Sequence, residues 1–159
     1  MKLFRIISTL FLCFWMLFIF SLSSETATQS SEKSGRIVTV VVKILYPDFE
    51  ELDVESQEEI PGEISFIVRK LAHFTLYGIL GFFSFLSFIT YKKIPLELRY
   101  LLILSVGLVY SICDEFHQTF VSGRSGEIRD VLIDFSGVLL AVLICGIISN
   151  LKKIKNYIR

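Results

Sequence analysis

Four long apolar runs dominate the chain, separated by polar segments of unequal length. The first covers about residues 4–22, FRIISTLFLCFWMLFIFSL, with Lys2 ahead of it and Arg5 in its first turn. About 20 apolar residues in helical form span the roughly 30 Å hydrocarbon core of a bilayer. A second run covers about 66–90, a third about 100–117 and a fourth about 131–149. The pattern predicts an all-α fold, a polytopic membrane helix bundle of about four transmembrane helices in a single domain, 1–159. The first run has a competing reading as a cleaved signal peptide, because Ser-rich sequence follows it. Its apolar stretch exceeds the usual signal core of about 7–15 residues, which favours a retained helix.

The long connection between the first two runs, about 23–65, has a different character. Ser23–Gly35 is polar and predicts a loop. Ile37–Leu45 is apolar but short and carries Lys43, so it suits a strand or an interfacial helix, and Pro47 ends it. Asp48–Glu63 is strongly acidic. Together they predict an extracellular segment with one amphipathic helix lying on the membrane surface. The other connections are short: a charged hairpin at Tyr91–Arg99 and a turn at Gly123–Gly126.

Composition agrees with the pattern. The chain is 53% hydrophobic with 15 Phe, too apolar for an ordinary soluble domain of this length. Its net charge of +0 gives no indication of a nucleic-acid partner. Cys13, Cys113 and Cys145 each lie in or beside an apolar run without CxxC spacing. They read as small buried hydrophobes, not as a disulfide framework or a zinc site.

The charges orient the bundle. With the N terminus in the cytoplasm, the inner segments carry Lys2, Arg5, Lys92, Lys93, Arg99, Lys152, Lys153, Lys155 and Arg159. Glu97 is the single acid among them. Basic excess on short inner segments is the expected bias, so both termini are read as cytoplasmic.

This topology brings three polar sets to one depth, at the outer ends of the spans. The second span carries Arg69, Lys70, His73 and Tyr77; the third Asp114, Glu115, His117 and Gln118; the fourth, with the turn before it, Arg124, Arg129, Asp130 and Asp134. Arg69, His73 and Tyr77 are four apart and stack on one helix face, whereas Lys70 is displaced and free to snorkel. Asp114, His117 and Gln118 share a face, as do Asp130 and Asp134, with Gly137 near enough to permit close helix packing. Ionisable residues in spans usually face a bundle interior or a wet cavity. One shared outward-facing pocket is the economical arrangement. The plainer alternatives are interfacial anchoring by Arg69, Lys70, Glu115 and Arg129, and structural staples in which Arg69 or Arg124 is held by Asp114, Asp130 or Asp134. The first span brings only Ser21, Ser23, Ser24 and the adjoining Glu25 to this layer.

Four stretches carry a family resemblance: Phe20-Ser-Leu-Ser-Ser-Glu25, Arg69-Lys-Leu-Ala-His-Phe-Thr-Leu-Tyr77, Asp114-Glu-Phe-His-Gln-Thr-Phe-Val121, and Gly123-Arg-Ser-Gly-Glu-Ile-Arg-Asp-Val-Leu-Ile-Asp-Phe-Ser-Gly137. In that order they resemble the VanZ-like family of bacterial membrane proteins, over nearly the whole chain outside 26–63. Two positions depart from the family's pattern: Glu25 stands where Gln is common, and Asp134 where Asn is common. A charged Asp134 needs a partner such as Arg124 or Arg69. The resemblance implies a small multi-pass protein of the bacterial cytoplasmic membrane and a link to resistance to the lipoglycopeptide teicoplanin. It supplies no reaction.

Three functions compete. In the first, a non-catalytic module binds membrane lipids or a lipid-linked cell-envelope precursor through Arg69, Lys70 and Arg124, oriented by Asp114 and Asp130, with His73 and Tyr77 as further donors. In the second, an embedded enzyme acts on a lipid-linked phosphate or acyl bond. His73 or His117 would be general base and Asp114 would fix its tautomer. A metal set of His73, His117, Asp114 and Asp130 is conceivable, but no HExxH or similar motif supports it and no cofactor is indicated. In the third, a transporter, four spans without an inverted repeat would need an oligomer.

Overall fold

The computed structural model describes the backbone of residues 2–158 and the side chains of residues 2–151. The elements in chain order are α1 (Lys2–Ser23), α2 (Ala27–Leu45), a 3-10 turn (Phe49–Glu51), α3 (Val54–Phe88), α4 (Leu96–Gln118) and α5 (Ile128–Ile158), and no strand occurs among the described residues. Four of these helices, α1, α3, α4 and α5, are long and apolar enough to cross a membrane.

What lies inside and outside this bundle identifies its solvent. The buried residues of α1 are Ser8, Leu12, Ile19 and Ser23, a single stripe. Those of α4 are Ile103, Gly107, Ser111, Asp114, Glu115 and Gln118, again one face. Large apolar side chains point outward instead, among them Leu10, Phe14, Leu17, Leu101, Val109, Leu143 and Ile147. A soluble protein with that surface would aggregate. In lipid the helices gain little by hiding apolar groups from one another, so small and polar residues take the contacts. The protein is a multi-pass membrane bundle.

α3 and α5 form the most extensive contact. The crossing is close because of Gly137: a Cβ there would meet the Phe74 carbonyl oxygen at 2.2 Å. One residue on, Val138 is fully buried against α3 and α4, and a Cβ on Gly107 would lie 2.6 Å from its Cγ1. Gly137 therefore permits the close packing that its place in the sequence suggests. α1 lies against α3 and α4. Its Trp15 Nε1 donates to the Leu76 carbonyl at 2.9 Å, and the Tyr110 hydroxyl of α4 donates to the Met16 carbonyl.

Residues 27–35 are helical, not a loop. Thr26 and Gln29 form a reciprocal capping box, Thr-x-x-Gln, which satisfies two of the donors left bare at a helix start. Helix α2 ends at Leu45 ahead of Pro47, and Val38 and Val42 pack it on Ile64 of α3. The acidic run is likewise absorbed into α3, which starts at Val54 with Asp53 as its cap and continues through Pro61. At about 1.5 Å per residue its 35 residues reach about 52 Å, so its acidic first turns stand clear of a roughly 30 Å core.

The cysteines correct an expectation. Cys13 and Cys113 are exposed on the outer surface and Cys145 is half-buried, as lipid accepts small apolar groups as readily as a core does. The side chains of Lys152, Lys153, Lys155 and Arg159, part of the charge pattern used for orientation, lie outside the described residues.

Candidate functional site

Down α3, Arg69 is exposed, His73 half-buried and Tyr77 fully buried, so the i, i+4, i+8 stack runs from the surface into the bundle. Asp114 of α4 and Asp134 of α5 reach the same depth, at 3% and 0% exposure. Four helices meet there, since Ser23 at the end of α1 donates to Asp114 Oδ2 at 2.7 Å. The first helix is thus a working part of this layer and not its exception.

A second set of hydrogen bonds closes the surrounding framework. Gln118 Nε2 donates to Asp114 Oδ2 at 3.3 Å and to Glu115 Oε1 at 3.2 Å. The Glu127 backbone N–H donates to Glu115 Oε2 at 3.0 Å. Arg124 donates through Nη1 to Gln118 Oε1 at 3.0 Å and through Nη2 to the Leu22 carbonyl at 3.4 Å. Arg124 lies in the α4–α5 loop, where partial burial pushes its pKa down and Asp114 acts against that. That loop also touches the start of α2, whose Ala27 N–H donates to the Ser122 carbonyl at 3.3 Å.

Several expected pairings are replaced by others. Neither Arg69 nor Arg124 forms an ion pair with Asp114, Asp130 or Asp134, since the ion pairs among the described residues are Lys33–Glu25, Lys70–Asp130 and His73–Asp134. Lys70 does not snorkel: it turns toward α5 and bonds Asp130. His117 leaves the Asp114 face, lying 3.2 Å from Ser24 Oγ through Nε2 and stacking on Phe20 with centroids 4.5 Å apart. Arg129 and Glu127 are exposed.

Beneath this framework the polar atoms lack partners. Asp134 Oδ1 and Oδ2, Asp114 Oδ1, His73 Nδ1 and the Tyr77 hydroxyl are all buried without a hydrogen bond. His73 Nδ1 and Asp134 Oδ1 are 3.4 Å apart, an ion-pair distance without hydrogen-bond alignment. One ligand-type atom each from His73, Asp114 and Asp134 fall within 4.8 Å of one another. Buried groups are nearly always hydrogen-bonded, and an unpaired charge in a low-dielectric interior is costly. Five such atoms gather on α3, α4 and α5.

Two cavities lead to it. One, of about 220 Å³, is lined by Ile19, Leu22, Ile37, Val68 and Leu76 on its apolar side and by Lys33, Arg69, His73 and Arg124 on its polar side. The other, of about 280 Å³, is polar and lined by Lys70, Gln118, Glu127 and Asp130 as well as Arg69, His73 and Arg124. Those last three residues line both cavities. Sequence reasoning missed Lys33 and Ile37, which reach the cavity only because α2 is helical; the Thr26–Gln29 spacing was the available signal.

Fold and site together define a class: a four-span helical membrane protein with a buried His-carboxylate cluster at one end, opening to cavities lined by arginines. The chain belongs to the VanZ/LLP1 family, whose model matches residues 8–149. No curated protein and no solved structure matches it.

Proposed function

We propose that the protein binds an anionic amphiphile, a membrane lipid or a lipid-linked cell-envelope precursor, with its polar end facing outward from the bacterial cytoplasmic membrane and both termini in the cytoplasm. The observation that carries this is the placement of Arg69 and Arg124. Both line a cavity that is apolar on one side and polar on the other, and neither has a carboxylate partner. Guanidinium forks suit phosphate and carboxylate groups, and arginines beside an apolar wall suit the junction of headgroup and acyl chain. The cavity of about 220 Å³ accommodates a headgroup and the first methylenes, with the remaining chain left in the bilayer. The outward orientation is supported by the basic residues at the opposite end, Arg5, Lys92, Lys93 and Arg99. An outer-leaflet precursor site would also account for the link between VanZ-like proteins and teicoplanin-type resistance.

Native mass spectrometry of the full chain tests this. Wild type should retain phosphatidylglycerol over phosphatidylcholine, and Arg69→Ala with Arg124→Gln should lose about tenfold in that preference. Equal retention by both proteins rules the reading out.

One observation favours an enzyme as a second reading: His73 lines both cavities and has Asp134 at 3.4 Å. In that reading His73 is general base for hydrolysis of a lipid-linked phosphate or acyl bond, oriented by Asp134 and not by Asp114. Turnover of such a lipid, lost in His73→Asn, would establish it.

A further inference from the structure

We propose that His73, Asp114 and Asp134 form a binding site for one divalent transition-metal ion, with Zn2+ the best fit. The site lies below the proposed amphiphile site and does not depend on it.

The geometry comes first. Zn2+ bonds to nitrogen and oxygen of about 2.1 Å set neighbouring tetrahedral ligands about 3.4 Å apart. His73 Nδ1 and Asp134 Oδ1 stand 3.4 Å apart. That spacing lacks hydrogen-bond alignment but suits two ligands of a common ion. Asp114 supplies a third ligand atom within 4.8 Å of both, so a small side-chain rotation completes the set.

The supporting shell points the same way. Ser23 and Gln118 both donate to Asp114 Oδ2, which fixes the carboxyl group and leaves Oδ1 bare. Metal-binding carboxylates are oriented by such donors. Asp134 is fully buried with both oxygens unpartnered. Tyr77 is an independent sign, because its hydroxyl is fully buried and has no hydrogen-bond partner. It is placed to bond a water completing the coordination sphere.

Charge gives the reason for a divalent ion. Among the described residues the two carboxylates have no cationic side chain within ion-pair distance other than His73, and one divalent cation would serve both. One imidazole with two carboxylates is a borderline donor set, which suits Zn2+ better than Mg2+ or Ca2+. Both cavities reach His73, so an ion has a route in from the polar end.

The test uses the full chain in detergent, stripped with a chelator and titrated with Zn2+ in the absence of added lipid. Wild type should bind one equivalent, and Co2+ as a spectroscopic probe should give visible bands of low-coordinate N/O ligation. Asp134→Asn should weaken Zn2+ binding by tenfold or more. Ser23→Ala, which removes only a support of Asp114, should weaken it several-fold while keeping the fold. Glu97→Gln, exposed at the opposite end of the bundle, should leave it unchanged. No stoichiometric Zn2+ in wild type, or equal binding by Asp134→Asn and wild type, would overturn the proposal. So would equal losses in Glu97→Gln and Asp134→Asn. Phosphatidylglycerol retention that survives the chelator would show that the amphiphile reading stands whatever this result.

Discussion

At one end of the bundle, Arg99 closes the turn between α3 and α4, donating to the carbonyls of Ile94 at 2.9 Å and Ile89 at 2.7 Å. Nearby, the Arg5 guanidinium lies over the Tyr91 ring, 5.0 Å from its centroid, and Lys92 and Lys93 are exposed. At the other end, Asp134 is fully buried with both oxygens bare, and Asp114 and Tyr77 are buried beside it. Both ends use ionisable residues. At the first, Arg99 is satisfied by backbone carbonyls and Lys92 and Lys93 stand in the open, while Arg5 rests on an aromatic ring with its Nε unbonded. At the second, they are drawn inward on α3, α4 and α5 and left short of hydrogen-bond partners. The first arrangement suits anchoring at the membrane surface, and the second is that of intramembrane ionisable residues turned toward a bundle interior.

The largest expected contrast between the ends is steric. Gly137→Ala puts a Cβ 2.2 Å from a backbone oxygen of α3, which cannot yield unless the helices part. Gly146→Ala, toward the opposite end, meets the Tyr100 hydroxyl at 3.0 Å, the tip of a movable side chain. Thermal unfolding in micelles should show a loss of about 3 kcal/mol for the first and below about 1 kcal/mol for the second. Similar losses would mean that the close crossing at the site end is not required.

The next contrast concerns charge, measured in chelator. Arg99→Ala should destabilise by about 2 kcal/mol, because two carbonyls lose a charged donor. Asp134→Asn should instead change stability by less than about 1 kcal/mol, since relief of a fully buried carboxyl group with no hydrogen bond offsets the loss of its contact with His73. A loss of about 2 kcal/mol or more by Asp134→Asn would make Asp134 a structural staple and erase the distinction.

The smallest effect lies beyond the site end. Hydrogen bonds from the Ser56 N–H and hydroxyl hold the Asp53 carboxylate below its usual pKa. A depressed carboxylate pKa contributes stability above the unfolded value, and that contribution is lost as pH falls through the folded value. Asp53→Ala should speed amide exchange in the first turn of α3 at neutral pH. The difference from wild type should vanish at acid pH, and a pH-independent difference would assign the effect to something other than the cap.

Much of this was legible in the sequence because apolar length and charge spacing are local properties. The four spans, the family and the gathering of His73, Tyr77, Asp114 and Asp134 at one end of the bundle follow from runs and periods. What was not legible depends on helix rotation and on partners distant in the chain. Lys70 and Asp130 are 60 residues apart, and nothing in the order of residues says that Lys70 would take Asp130 while Arg69 takes none. His117 shares a helical face with Asp114 by spacing, yet Ser24 and Phe20 of α1 draw it away. The polar composition of 27–35 concealed a helix whose capping box was present, since loops and exposed helix faces have similar composition.

The central claim is that α3 and α5 present His73 and Asp134 to each other as one unit across the Gly137 crossing. A double-mutant cycle of His73→Ala and Asp134→Ala, read by unfolding in micelles with chelator present, tests it most directly. The account predicts a coupling of at least about 1 kcal/mol between the two sites. Additivity within about 0.5 kcal/mol would contradict it.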